Sequence, residues 1–185
     1  RDSTSRFFDQ ADLDAGPNTI VELGCDPSNL ACTGNSRATL RDEVDGNLNA
    51  SGAEAVILYD TSVLGNVIEN GGGASCAAHL PATLGGGSVY SLYDRAAISG
   101  SLSVTGVATC GLGAVSNLIS GNVTYNNNAA TGTPSNQIAA NLISGNLACQ
   151  GNTPAPGLHG KSGNLVSGSR TGQCANLGLS FFSFF

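Results

Sequence analysis

The stretch "SNLISGN" at 116–122 returns as "ANLISGN" at 140–146 and as "GNLVSGS" at 163–169. Aligned on Ile119, Ile143 and Val166, the copies stand 24 and 23 residues apart (119 to 143, 143 to 166). Upstream, "AAISGSL" offers Ile98 at a step of 21 (98 to 119), and "NVIENGG" offers Ile68 at a step of 30 (68 to 98). The longer step contains "GGGASCAAHLPATLGGG", which reads as an inserted Gly-rich loop near 71–88.

Few architectures have this period. Leucine-rich repeats span about 20–29 residues but need an L-x-x-L-x-L frame that is absent, and helical repeats need about 33 or more. Runs such as "SLSVTGV" and "NQIAANLIS" are short, β-capable and punctuated by Gly and Asn. Three strands of about five residues with three turns fill about 20–25 residues. The spacing therefore predicts an all-β right-handed parallel β-helix, a β-solenoid whose coils stack about 4.8 Å apart. Adjacent strand residues face opposite sides. That sets the Ile119, Ile143, Val166 column inside, next to a column of Leu118, Leu142 and Leu165. Asn117, Asn141 and Asn164 would form a ladder of amides along the axis. Gly121, Gly145 and Gly168 would supply turns with positive φ.

Residues 1–54 read as an N-terminal cap region, 55–178 as the coils and 179–185 as a tail. In "ATLRDEVDGNLNASGAEAVILYD", Thr39 can cap a helix, Leu40, Val44 and Leu48 recur at i, i+4 and i+8, and Arg41 can pair with Asp45. A short capping helix is expected there, leading into the apolar run 55–59. The tail "GLSFFSFF" holds Phe181, Phe182, Phe184 and Phe185, four of the six Phe. Such a segment either closes the last coil or meets another chain, so it is the candidate assembly contact.

Charge is sparse and lopsided. Charged residues make up 11% of the 185, against a usual share of about a quarter. All 13 Asp and Glu lie at or before Asp94; beyond it the charged side chains are Arg95, Lys161 and Arg170. With a net charge of −6 and no basic stripe, neither nucleic acid nor an anionic membrane surface is an expected partner. No apolar run is long enough for a membrane-spanning helix. The chain opens on Arg1 without Met, which reads as a processed mature chain. Six Cys without a C-x-x-C pair read as disulfides, and hence as an oxidising, secreted or cell-surface setting. Six Cys allow 15 pairings; nearest neighbours suggest Cys25–Cys32, Cys76–Cys110 and Cys149–Cys174.

A resemblance lies in Thr39-Leu40-Arg41-Asp42, Asn47, Asn49, Gly52 and Glu54-Ala55-Val56-Ile57-Leu58. These residues resemble the entry of secreted bacterial β-helix proteins that carry a CSLREA-type motif, with Ala38 where that motif has Cys and Glu43 where it has Ala. The C-terminal "CQGNTPAPGLHGKSGNLVSGSRTGQC" is similar to the ends of actinobacterial secreted proteins. The resemblance implies an exported surface or extracellular protein, often adhesive or structural, and no catalytic residues.

Sites of chemistry are few. A polysaccharide lyase or hydrolase would need acids across the scissile bond, and the later coils have none; Asp60, Glu69, Asp94 and Arg95 are the alternative catalytic set. "DQADLDAGPN" clusters Asp9, Asp12 and Asp14 before a turn Gly, a candidate calcium site. His79 and His159 sit in Gly- and Pro-rich loops, outside any metalloprotease or hydrolase motif. No other cofactor is expected. The leading expectation is a non-catalytic extracellular structural or adhesive protein that self-assembles or binds a surface partner. The alternatives are a polysaccharide-active enzyme or a carbohydrate-binding module with a glycan partner.

Overall fold

The computed structural model describes residues 7–8, 12–24, 42–80, 87–133 and 135–179. Among them there is no helix; the strands run parallel and stack into three sheets of five to seven strands and a two-stranded sheet, Ala108–Thr109 with Ala129–Ala130, the arrangement of a β-solenoid. Sheet I holds short strands, Phe7–Phe8, Glu43–Val44, Ser62–Val63, Ala97–Ile98, Leu118–Ile119, Leu142–Ile143 and Leu165–Val166. Sheet II stacks Asp12–Ala15, Asn47–Ser51, Val67–Asn70, Leu102–Thr105, Val123–Asn126, Leu147–Gln150 and Arg170–Gly172. Sheet III stacks Ile20–Leu23, Ala55–Tyr59, Tyr90–Asp94, Gly111–Val115 and Asn136–Ala139. The first five coils visit sheets I, II and III in turn, and the last two add strands to sheets I and II only.

The core is the interior of this stack. In sheet I, Val44, Val63, Ile98, Ile119 and Ile143 form one buried inward column, with Val166 partly buried at its end. Leu48, Val67, Leu102, Val123 and Leu147 form a second in sheet II. Each apolar residue packs on its counterpart one coil away, so burial is a sum of nearest-neighbour contacts along the axis.

The register corrects the repeat. Val63, not Ile68, stacks on Ile98; Ile68 points outward and pairs with Ser103. The phrase is therefore also written as "TSVLGN" at 61–66 and "DEVDGN" at 42–47. The latter overturns the capping helix. Over its described part that segment is two strands, Glu43–Val44 and Asn47–Ser51, around a sharp corner. Two inward positions across such a corner, Val44 and Leu48, fall four residues apart and mimic helical spacing. Thr39, Leu40 and Arg41 lie outside the described residues.

Each of the three corners carries a ladder. Between sheets III and I, Asn117 donates its N–H and its amide Nδ2 to Asn141 Oδ1, at 2.9 Å each. Asn141 repeats both bonds to Asn164, and each Nδ2 also reaches a backbone oxygen: Tyr93 for Asn117, Ala114 for Asn141, Ile138 for Asn164. Between sheets II and III, Asn128, Asn152 and Gln173 do the same. Between sheets I and II, an exposed ladder runs through Asp12, Asn47, Asn66, Ser101, Asn122, Asn146 and Ser169. Both Asn of "NLISGN" are thus ladder residues, at different corners.

Gly121, Gly145 and Gly168 do not have positive φ. They are glycine because the coils touch there: a Cβ on Gly145 would stand 2.6 Å from Gly121 O, and one on Gly121 would stand 2.6 Å from Gly100 O. Left-handed backbone falls instead on Asp60, Arg95, Ser116 and Ala140 at the corner before sheet I.

Two predictions follow from the ladders and the turns. Asn141→Ala leaves the buried Asn117 N–H and Ala114 C=O unpaired and should cost about 3 kcal/mol or more in denaturant unfolding, whereas Asn146→Ala, on the exposed ladder, should cost about 1 kcal/mol. Ala140→Gly relieves a positive φ and should stabilise by up to about 1 kcal/mol, while Gly145→Ala should destabilise by about 2 kcal/mol through overpacking; denaturant unfolding that gives the reverse signs would contradict the stacking geometry.

Candidate functional site

The four candidate catalytic residues divide into two groups. Asp60, Asp94 and Arg95 meet on the surface at the corner between sheets III and I. Arg95 Nε donates to Asp60 Oδ1 at 2.9 Å, Nη2 to Asp60 Oδ2 at 3.1 Å and Nη1 to Asp94 Oδ2 at 2.7 Å. Asp60 and Arg95 occupy the same left-handed position in successive coils, so the stacking that would repel two acids here pairs an acid with a base. The fork binds Asp60 through both oxygens, and the Asp60 hydrogen bond is the largest cause of the raised Arg95 pKa. This trio is an ion-pair clasp between coils, with its carboxylates already engaged.

Glu69 is elsewhere. It points into the solenoid and is fully buried, between Ala50 and Val104 in the stack. Ser91 Oγ donates to Oε1 at 2.7 Å and Tyr93 OH to Oε2 at 2.5 Å; Ser91 Oγ in turn accepts the N–H of Val56 at 3.1 Å. Burial raises the Glu69 pKa to about 7, against the smaller lowering effect of its two hydrogen-bond donors. The same burial, with the nearby Glu69 charge, pushes Tyr93 and Tyr125 up. No solvent-borne substrate reaches this carboxyl, so its place is in the interior polar network.

Of the candidate calcium ligands, Asp12 and Asp14 lie on one edge strand. Asp12 Oδ1 accepts the N–H and amide of Asn47, and Asp14 Oδ1 accepts the amide of Asn49. Asp9 lies outside the described residues. Among the described residues no group of three His, Cys, Asp or Glu is placed to hold a metal ion. His79 Nδ1 faces Ala77 O and His159 Nε2 faces Asn136 O, so each ring is bound to local backbone.

Disulfides join Cys76 to Cys110 and Cys149 to Cys174. Cys25 and Cys32 lie outside the described residues. The first bond pins the inserted loop to the next coil. Under that loop lies a second, smaller core on the outer face of sheet III, made of Ala55, Ile57, Tyr59, Leu80 and Val89, with Tyr90 and Leu92 at its border. The inserted Gly-rich loop expected near 71–88 thus covers part of sheet III, which its Gly content and length do not indicate. The signal for this cover is in the strand: Ala55–Tyr59 is apolar at every position, and a strand apolar on both faces is covered on both.

No protein-family model matches the chain. Neither a curated protein nor a solved structure is significantly similar to it. No described helix is long and apolar enough to cross a membrane.

The buried carboxyl makes a pH prediction. The folded state holds the Glu69 proton up to about pH 7, while the unfolded chain releases it near 4.5. The folded state therefore binds more protons across that window, and stability should be full below pH 4.5 and fall as pH rises through 7, by roughly 3 kcal/mol. Thermal unfolding from pH 4.5 to 8 should show a declining midpoint, and Glu69→Gln should flatten the curve.

Proposed function

We propose that this protein is a non-catalytic, extracellular structural or adhesive β-helix that associates with a second copy of itself through the outer face of sheet I. The observation that carries this reading is a column of exposed leucines. Leu118, Leu142 and Leu165 stack in register on that face and are 49%, 42% and 47% exposed. Leu179 continues the column: Gly178 pairs in parallel with Asn164, and Leu179, 41% exposed, follows beside Leu165.

Four aligned leucines on a regular sheet face make a contiguous apolar strip, the kind of surface that marks an interaction site. The coils beneath it contain no carboxylate, so two copies of the face meet without like-charge repulsion. A twofold pair would set one leucine column against the other at the usual sheet-to-sheet spacing of about 10 Å. The strip reaches Leu179, and Phe181, Phe182, Phe184 and Phe185 follow in the sequence, outside the described residues. Export is supported by the two disulfides, and right-handed winding by the strong chirality of parallel crossovers. The engagement of Asp60 and Asp94 by Arg95, and the burial of Glu69, favour the non-catalytic reading over a polysaccharide-active enzyme.

Sedimentation of the full-length chain should show a concentration-dependent dimer or larger species. Leu142→Asp, at an exposed position, should weaken association by about tenfold or more without lowering the unfolding midpoint appreciably. Replacing the four phenylalanines by Ser in a separate variant tests the tail. A wild-type chain that stays monomeric at high concentration would sink the self-association reading.

A further inference from the structure

We propose that the outer face of sheet III carries a binding groove for a neutral saccharide, a site independent of the leucine strip. The groove encloses about 400 Å³ and lies beside the inserted loop, where the loop's cover ends. Its floor is Gly111 and Gly113, the two successive outward positions of the strand Gly111–Val115, whose inward neighbours Leu112 and Ala114 belong to the core. One side is formed by Tyr90 and Leu92 on the preceding coil, the other by Thr133, Ser135 and Gln137 on the next.

Two glycines within a five-residue strand are costly, about 0.5–1 kcal/mol each, and such positions often mark the close approach of a ligand. Their effect here is to open a depression in a sheet whose equivalent outward positions on the earlier coil, Ala55 and Ile57, are filled and covered by the loop. The floor cannot recruit a peptide by strand addition. Its backbone groups already pair with the coils on both sides, so recognition falls to side chains.

Those side chains define the ligand. Among the described residues the lining contains no Asp, Glu, Lys, Arg or His, which disfavours a charged ligand because its charge would be desolvated without a partner. An apolar wall from Tyr90 and Leu92 faces hydroxyls of Thr133 and Ser135. A sugar ring presents this same combination: C–H faces that pack on an aromatic or aliphatic side chain, and hydroxyls that exchange hydrogen bonds at its edge. The volume suits a ligand of about disaccharide size. The walls are held in place. Tyr90 OH is hydrogen-bonded to Tyr59 OH at 3.1 Å, Gln137 Nε2 donates to Leu158 O at 3.0 Å, and the Cys76–Cys110 bond fixes the loop at the groove's edge.

The test is calorimetric titration of the full-length protein with neutral tetrasaccharides (cello-, xylo-, manno- and laminaritetraose) and with tetragalacturonate as the charged comparison. At least one neutral probe should bind saturably at millimolar concentration or below, and more tightly than tetragalacturonate. Gly113→Val places a side chain in the floor; the nearest atom to its Cβ is the tip of the flexible Leu92 side chain, at 3.0 Å, followed by Gln137 Cβ and O at 3.9 Å. It should weaken binding by about tenfold or more while leaving the unfolding midpoint unchanged or raised, because Val favours strands. Thr133→Val, at an exposed position, gives a second arm and should weaken binding by about threefold or more through the lost hydroxyl. Absence of binding by every neutral probe, preference for the acidic sugar, or wild-type affinity in both variants would each overturn the proposal. Self-association is read separately and does not bear on the outcome.

Discussion

At every corner of a stacked coil the backbone leaves its strand geometry, and its N–H and C=O groups lose their regular partners. Buried, such groups cost more than any single contact nearby returns. An Asn amide solves this because it carries both an acceptor and donors and can bond to a copy of itself. Asn141 Oδ1 takes two donors from Asn117, while its Nδ2 satisfies Ala114 O and Asn164 Oδ1. The solution works only when the same residue type recurs at the same height in the next coil. That requirement sets the period, holds Ser116 and Ala140 in left-handed backbone, and confines insertions to stretches between ladder positions. The loop near 71–88 leaves from the corner between sheets II and III, upstream of the point where Val107 N–H first meets Asn128 Oδ1.

The same stacking dictates where charge can sit. Identical acids one coil apart would repel at about 5 Å. The chain uses its carboxylates where stacking can absorb them. Asp12, an acceptor only, terminates the exposed ladder at the end that needs an acceptor and no donor. Asp60 and Arg95 alternate in one column. Glu69 enters the core, where burial keeps it largely protonated below pH 7 and two hydroxyls bind it. Downstream of Asp94 the ladders are neutral amides and hydroxyls, and acids are absent.

Much of this was legible in "NLISGN". The inward Ile column, the outward Leu column and the Asn117–Asn141–Asn164 ladder follow from the phrase and its period. What escaped were the copies in which the phrase is degenerate. "DEVDGN" keeps only Val44, Gly46 and Asn47, the inward residue, the close-contact glycine and the exposed ladder residue, and its apolar spacing imitates a helix. "NVIENGG" competes with "TSVLGN" for the same place in the repeat, and its Ile68 lies five residues out of frame from Val63, which hides the inward direction of Glu69. The glycines were legible as necessary but not for their cause, because a contact between coils leaves the same letter as a turn. The groove and the outer core depend on which coil lies beneath the inserted loop, and spacing alone does not give that.

The architecture also says where function can be written. Corners are committed to ladders, and inward positions to the core. Outward strand positions remain, and each face uses them differently. Sheet II presents Asn49 and Ile68 and then, from Ser103 onward, the small residues Ser103, Thr124, Ala148 and Thr171 in one register. Sheet I presents leucines, and sheet III presents glycines between Tyr90 and Thr133. In a solenoid whose interior and corners are nearly invariant in chemistry, such divergence between faces is not required by stability. Mid-strand glycines cost conformational entropy, and a leucine column left in water gains none of the burial that stabilises the interior, so both features sit at outward positions that neither the core nor the ladders use.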